Sequence, residues 1–416
     1  MSSVLFICHR LPWPPTKGDK IRSYHVLRRL AEHYNVYLGA FVDDAADWQY
    51  VSAVKALCAD TCIRPLTRSR MRLRALGSLA RGEALTVGVY RDRVMRRWVE
   101  RVIAERKLDL ALGYSSGIAP FLMRHSQVRR VMDFVDVDSD KWRQYAEMRH
   151  GWAGVIYRRE ARRLAPFERA IAAEFDASLL VSEAEARLFR SRAPESASKV
   201  QGISNGVDAE YWDPGRVYPN PYQTGERAIV LAGAMDYRAN VHAAQWFARE
   251  IWPRTYVGQQ AARFYIVGSN PTAAVRALGR LPGIVVTGRV KDVRPYIAHA
   301  HAVATPLRIA RGIQNKVLEA LAMEKVLLAT PEAFEGIEDF KGRVGCISAS
   351  PEVMTAEALR ALNLPQPVRV PAARTQVLSR YAWTRALDAY ENVLRNAPLG
   401  VAAARTASVV GLEACS

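Results

Sequence analysis

The run from Ala302 to Thr330 restricts the fold most tightly. Ala302-Val303-Ala304 reads as a buried strand, Val317, Leu318, Ala320 and Leu321 recur at helical spacing, and Val326 to Ala329 is a second apolar strand. A strand, a loop bearing Gly312, a helix and another strand make the repeating unit of a parallel sheet, whose crossovers are helices. Gly312 stands where loop becomes helix, so a ligand can approach the backbone, and the free N–H groups of a first helical turn favour an anion. Diphosphate is the natural guest. Lys316, in that turn or just after it, reaches phosphate oxygens, and Glu319 follows three residues later on the same face, where a carboxylate suits ribose hydroxyls. The same spacing also describes an amphipathic helix whose lysine and glutamate form a solvated pair.

The rhythm recurs along the chain. Val4 to Cys8 reads as a strand, Leu11 to Lys20 as a Pro-rich loop, Ile21 to about His33 as a helix and Asn35 to Phe41 as the next strand. In such sheets the loops at the carboxyl ends of the strands form the site. Two further strands, Leu108 to Gly113 and Val131 to Val135, end in Tyr114-Ser115-Ser116 and Asp136-Val137-Asp138-Ser139-Asp140. A helical region follows from Trp142 to about Phe175, then a strand from Ala177 to Val181, with Ser182 and Glu185 spaced as a capping box. Pro214, Gly215, Pro219, Asn220, Pro221 and Gly225 read as a linker. Beyond it the rhythm restarts with a strand from Ala228 to Ala232, a turn at Gly233, a helix from about Val241 to Trp252 and a strand from Arg263 to Val267. A strand and turn from Val285 to Val293 come next, and the last helix is expected from about Thr375 to Arg395.

With 416 residues, half of them apolar, the chain can bury two cores. Its formal net charge of +18 attracts polyanions, anionic lipid or phosphorylated substrates. From Arg64 to Lys107 the arginines interleave with Met71, Leu73, Leu76 and Leu79, the pattern of amphipathic helices with a basic face; such a face is either solvated or docked on anionic membrane. Nucleic-acid binding suits the charge, yet no RNP-type strand, helix-turn-helix or zinc spacing appears. Cys8, Cys58, Cys62, Cys346 and Cys415 are odd in number and make no disulfide framework, which fits a reducing cytoplasm, and Cys58 and Cys62 lack partners for zinc. The amino terminus reads as a strand rather than a signal peptide, and no segment is apolar enough to span a membrane.

Gly312 to Ala322 followed by Val326 to Ala329 resembles the donor-site segment of retaining glycosyltransferases of family 4. The loop with Pro14, Pro15, Lys17, Gly18, Asp19, Lys20, Ile21, Arg22 and Ser23 closely resembles that of the family's branch associated with exosortase (PEP-CTERM) exopolysaccharide loci. The resemblance implies an α/β GT-B fold, two Rossmann-like domains with parallel sheets facing a central cleft: residues 1–208 on the acceptor side, a linker at 209–226, a nucleotide-sugar domain at 227–378, a helix crossing back at 379–396 and a loose tail at 397–416. It implies transfer of a sugar from a nucleotide sugar to a hydroxyl, with retention, on a lipid-linked exopolysaccharide precursor. The protein would work in the cytoplasm, peripherally on the inner face of the cell membrane.

By the same resemblance, Gly18, Arg238, Val290, Arg311, Gly312, Gln314, Asn315, Lys316 and Glu319 bind the donor, and Lys17, Asp19, Lys20, Tyr114, Asp136 and Asp138 lie on the acceptor side. Lys316, Arg238 and Asp138 are the catalytic candidates. No metal or other cofactor is expected, although Asp136-Val137-Asp138 also has the form with which other sugar transferases hold a divalent ion. The chain departs from the family pattern in two places. Its paired glutamates stand eight residues apart, where this chain has Arg311 and Glu319, and no counterpart of the usual histidine is recognisable beside Tyr114. These departures keep a catalytically inactive nucleotide-sugar-binding scaffold open as an alternative.

Overall fold

Apolar runs that are buried on both faces pair best as parallel strands covered by helices, and the computed structural model of this protein arranges them so. It describes residues 2–15, 18–147, 151–309, 313–337 and 344–396. The chain divides into two units, residues up to Ser204 together with those from Leu387, and Asn205–Ala386.

In the first unit, β1 (Ser3–Cys8), β2 (Asn35–Val42), β3 (Asp60–Pro65), β4 (Leu108–Tyr114), β5 (Arg129–Val135), β6 (Ala177–Leu180) and β7 (Val200–Gly202) form one sheet in the order β3-β2-β1-β4-β5-β6-β7. Every pairing is parallel. Val4 stands between Val36 and Leu110, and Leu5, Ile7, Phe41, Ala111 and Met132 fill the core. The second unit repeats the plan with β8 (Arg227–Ala232), β9 (Ala262–Val267), β10 (Ile284–Gly288), β11 (Ala302–Thr305), β12 (Leu327–Ala329) and β13 (Gly345–Ile347), ordered β10-β9-β8-β11-β12-β13 and again all parallel. Residues 209–226 contain no helix or strand. The expected tail, 397–416, lies outside the described residues.

Local chemistry moves several boundaries. The first helix begins at Gly18 rather than Ile21, and the helical region expected from Trp142 begins at Asp138. Ser182 caps its helix by accepting from the Glu185 N–H at 3.1 Å, while the Glu185 carboxylate accepts from the Val137 N–H at 2.9 Å. The helix expected from Val241 starts at Arg238, passes through a π turn at Phe247–Ile251 and resumes as Trp252–Gly258; Pro253 has no N–H to continue the ladder.

The last helix is two helices, Pro371–Tyr381 and Trp383–Asn396, because Ala382 is extended. At the break the Val207 N–H donates to the Tyr381 carbonyl at 2.6 Å and Val207 bridges Ala382. Gly206 permits this approach, since a Cβ there would sit 2.5 Å from the Trp383 Cα.

A buried charge fixes the end of that second helix within the first unit. The Arg22 Nε donates to Asp133 at 2.7 Å and its Nη1 to the Ile203 carbonyl at 2.8 Å. The Tyr390 hydroxyl donates to the same Asp133 oxygen at 3.1 Å, and Arg29 reaches Asp388 at 2.8 Å. Removing one partner of a buried ion pair leaves the other uncompensated, at a cost of about 3–5 kcal/mol. Arg22→Met should therefore lower the melting temperature of the first unit by on the order of 10 °C, and Tyr390→Phe by clearly less. Calorimetry checks this, and an unchanged transition in Arg22→Met would contradict it.

Candidate functional site

Parallel pairing brings the carboxyl ends of β8, β9 and β11 to one edge of the second sheet, and the chain there is shaped for close approach. Gly268, at the end of β9, lies against the turn after β8: a Cβ on it would meet the Gly233 carbonyl oxygen at 1.6 Å. From Gly233 the chain turns into the helix Arg238–Trp246. Asn240, in its first turn and buried, donates through Nδ2 to the Ala234 carbonyl at 2.9 Å and so closes the turn.

The other side of the Asn240 amide accepts from the Lys316 ammonium. Lys316 lies in the first turn of the helix Asn315–Ala322, whose Val317, Leu318, Ala320 and Leu321 are buried. Gln314 is the N-cap and its side chain makes no capping bond; its carbonyl accepts from the Val317 N–H at 2.9 Å, so the N–H groups of Asn315 and Lys316 are the ones that precede the first intrahelical bond. Asn315 accepts from Asn205 at 3.3 Å.

Lys316 and Glu319 are half-buried and form no salt bridge among the described contacts; the ammonium turns to Asn240 instead. The solvated pair that the spacing also allowed is thus not what the chain forms. Burial lowers Lys316 to about 8, against the opposing pull of Glu319, and burial raises Glu319 to about 7, against the pull of Lys316. A cation desolvated without a charged partner gains by meeting an anion. Tyr211 lies in the field of Glu319: burial raises its phenol most, and Glu319 adds to the rise. The Arg294 guanidinium stacks on that ring at 3.9 Å and is held by Asp292 at 2.7 Å.

Arg238 is exposed at the start of its helix. It and Arg308, which covers Trp246 at 5.6 Å, both act on His242, whose pKa falls through burial first and then these two cations. Val290 packs its side chain against the second core, and its neighbour Arg289 is exposed. Arg311 and Gly312 lie outside the described residues, as does Lys17. Gly18 and Asp19 open the first helix.

At the corresponding edge of the first unit the expected acceptor side changes. Lys20 is not an open cation: it is buried, ion-paired with Asp47, and donates to the Trp13 carbonyl at 3.4 Å. Tyr114 is not a loop residue: it closes β4 in the core, stacked 5.7 Å from His9 and edge-on to Phe6. Asp136 and Asp138 share Lys141, at 2.8 and 3.6 Å. Burial raises the Asp138 pKa, and Lys141 and His9 oppose the rise while Asp136 adds to it.

Sequence reasoning missed Asn240 and His9. His9 is signalled only by following directly on β1, and Asn240 by nothing local, since its partner is 76 residues away.

Residues 226–363 match the family described as "Glycosyl transferases group 1". No curated protein matches the chain. Among solved structures, the chain is similar to HepE of Anabaena in complex with UDP and glucose, at 12% identity, 95% of this chain, 100% of that one and a TM-score of 0.62. It is similar to sucrose-phosphate synthase of Thermosynechococcus elongatus at 12% identity, with 94% and 98% covered and a TM-score of 0.64. It is also similar to WaaG, a glycosyltransferase involved in lipopolysaccharide biosynthesis, at 14% identity, with 98% and 100% covered and a TM-score of 0.56. At these identities the likeness is one of fold: two parallel-sheet α/β units in the GT-B class.

The charge on Lys316 gives the site a pH signature that inorganic diphosphate can report. Below about pH 8 the ammonium is charged in the free protein; a bound anion raises its pKa further. Its contribution to affinity is therefore complete below pH 8 and falls by up to about tenfold per unit above it, until the raised pKa of the complex is passed. The ratio of wild-type to Lys316→Met affinity, measured calorimetrically, should follow that decline. A ratio constant from neutral pH to well above 8 would show that Lys316 does not face the anion.

Proposed function

We propose that the chain is a retaining glycosyltransferase that moves a sugar from a nucleotide-sugar donor to an acceptor hydroxyl. The reading rests above all on Lys316, a desolvated cation oriented by Asn240 beside the open first turn of Asn315–Ala322. It lies inside the segment matched by the group 1 glycosyl transferases. In the transfer the bond from the anomeric carbon to the diphosphate oxygen breaks, the acceptor oxygen bonds to the same carbon, and the diphosphate leaves with the electron pair. The acceptor's proton ends on the departing phosphate. Charge grows on that group, so the Lys316 ammonium and the helix N–H groups stabilise the transition state more than the ground state. Arg238, exposed at the neighbouring loop, adds a second cation, and Glu319 receives the ribose hydroxyls.

The acceptor in this reading is a lipid-linked saccharide of exopolysaccharide assembly, as in the exosortase-associated branch of family 4, reached from the cytoplasmic side of the membrane. Asp138 accepts the hydrogen bond of its hydroxyl. Arg311 supports this role by pairing with donor phosphates or with an acidic sugar. The two departures from the family pattern favour, as a second reading, a scaffold that binds the donor without turning it over.

Because related folds are known with UDP bound, UDP-sugars come first in a donor screen and GDP-sugars second. A donor at about a hundred times its dissociation constant stabilises by about 2.7 kcal/mol, which thermal unfolding resolves. With the donor found, Lys316→Ala should abolish turnover while the protein still folds, and Glu319→Ala should weaken nucleotide binding. Wild-type kinetics in both variants would place the donor elsewhere, and binding without turnover in the wild type would select the scaffold.

Metal dependence is a separate test. In this reading the diphosphate meets Lys316 and a helix N-terminus in the second unit, while Asp136 and Asp138 already share Lys141 in the first. Turnover should persist in excess EDTA. Loss restored by Mn²⁺ or Mg²⁺ would move the diphosphate to Asp136 and Asp138.

A further inference from the structure

The basic stretch after β3 does not act as one surface. Arg64 and Arg74 are taken by Asp92 at 3.2 and 3.0 Å, Arg91 by Glu83 at 2.5 Å, and Arg101 by Asp60 at 3.4 Å. The helix Arg93–Glu105 turns Met95, Trp98, Val99 and Val102 into the core, so its exposed arginines form an ordinary solvated face. The helix Arg68–Ala80 is built the other way. Ser78 and Met71 face inward, while Leu73 is 72% exposed, Leu76 62% and Leu79 44%. Residues three apart on a helix form one stripe, and Arg68, Arg70 and Arg72, exposed beside it, have no acidic partner among the described residues.

A second stripe stands on the same unit. At the start of the helix Trp152–Glu174, Trp152 is 86% exposed, Val155 49% and Ile156 46%. Helical spacing puts Arg159 and Arg163 further along that face. The two stripes are tied through the short helix Leu85–Val89. Its Gly88 lies against Ser78 of the first stripe's helix, and the N–H groups of Leu85 and Thr86 donate to Glu160 at 2.7 and 2.8 Å. The Arg163 guanidinium lies 3.9 Å from where a Cβ of Gly82 would stand, just past the end of Arg68–Ala80.

Large apolar side chains left in water on two helices that both pack on Leu85–Val89, beside Arg68, Arg70, Arg72 and Arg163, which form no ion pair among the described residues, match one kind of surface: apolar beneath and anionic above. We infer that the helices Arg68–Ala80 and Trp152–Glu174 form a docking face for an anionic phospholipid bilayer, with Leu73, Leu76 and Trp152 inserted at headgroup depth and Arg68, Arg70, Arg72 and Arg163 on the lipid phosphates. No helix among the described residues is long and apolar enough to cross a membrane, so the contact is interfacial. The inference is independent of the sugar-transfer reading, since it uses no residue of the donor site.

Sedimentation of the full chain with vesicles tests it. Binding is expected to vesicles of phosphatidylcholine containing phosphatidylglycerol but not to phosphatidylcholine alone, and it should fall steeply with salt because the attraction is screened within about a Debye length, roughly 8 Å at physiological salt. Replacing Arg68, Arg70 and Arg72 together by Gln removes about 1 kcal/mol each, which is about a hundredfold in partitioning. Leu73→Ser with Leu76→Ser should cost at least about tenfold, and Trp152→Phe should remove a blue-shifted component of the vesicle-induced fluorescence. These side chains are exposed, so thermal unfolding and diphosphate binding should be unaltered. The control is Arg93, Arg96 and Arg97 to Gln, which should leave partitioning within about threefold, their apolar face being core. Equal binding to neutral and anionic vesicles, or an equal loss in the control, would overturn the inference. So would a leucine-dependent dimer that ignores vesicles, which would make the occupant a second copy of the chain.

Discussion

Parallel pairing is the constraint from which the rest of this molecule follows. A strand that runs parallel to its neighbour needs a crossover, and here the crossovers are helices that cover the sheets, so the central strands of both sheets are buried and all carboxyl ends in a sheet open on one edge. Gly233, Gly268 and Lys316 meet for that reason, although they are scattered through the second half of the sequence. Once they meet, the turn after β8 can offer Asn240 to Lys316, and a lysine on a buried helix has a place to point.

Electrostatics then sorts the cations of a strongly basic chain by what they can still do. Arg22 is used up by Asp133 and Tyr390, and Lys20 by Asp47; both are buried and structural. Lys316 is the contrasting case. It is desolvated enough for its pKa to fall, yet its partner is a neutral amide, so its charge remains available to a ligand. The arginines of the first unit divide in the same way: those near Asp92, Glu83 and Asp60 are neutralised, while those beside Leu73 and Leu76 are not.

What was legible in the sequence was local. The run from Ala302 to Ala329 announces strand, helix and strand because burial on both faces writes an unbroken apolar signal, and Val317, Leu318, Ala320 and Leu321 carry the helical period. Lys316 and Glu319 could be singled out because the helix start and the side-chain spacing lie within one turn. What was not legible depends on partners far along the chain. The bond between Lys316 and Asn240 spans 76 residues, Arg22 to Asp133 spans 111, and Tyr390 to Asp133 spans 257. Lys20 and Tyr114 were misplaced for the same reason: each sits in a loop-like stretch of sequence, and only tertiary contact with Asp47 or with His9 and Phe6 reveals that it is core. The break at Ala382 was hidden because nothing in Thr375 to Arg395 interrupts helical propensity; Val207, approaching from a distant segment, does.

The central claim is that a nucleotide diphosphate binds the second unit at the turn after β8 and the first turn of Asn315–Ala322. Hydrogen exchange with and without saturating UDP tests it most directly, because backbone N–H groups held by a ligand exchange more slowly. The account predicts protection concentrated in peptides covering Gly233–Asn240 and Gln314–Glu319. Protection confined to the segment around Asp136–Lys141 in the first unit, with those peptides unchanged, would contradict it.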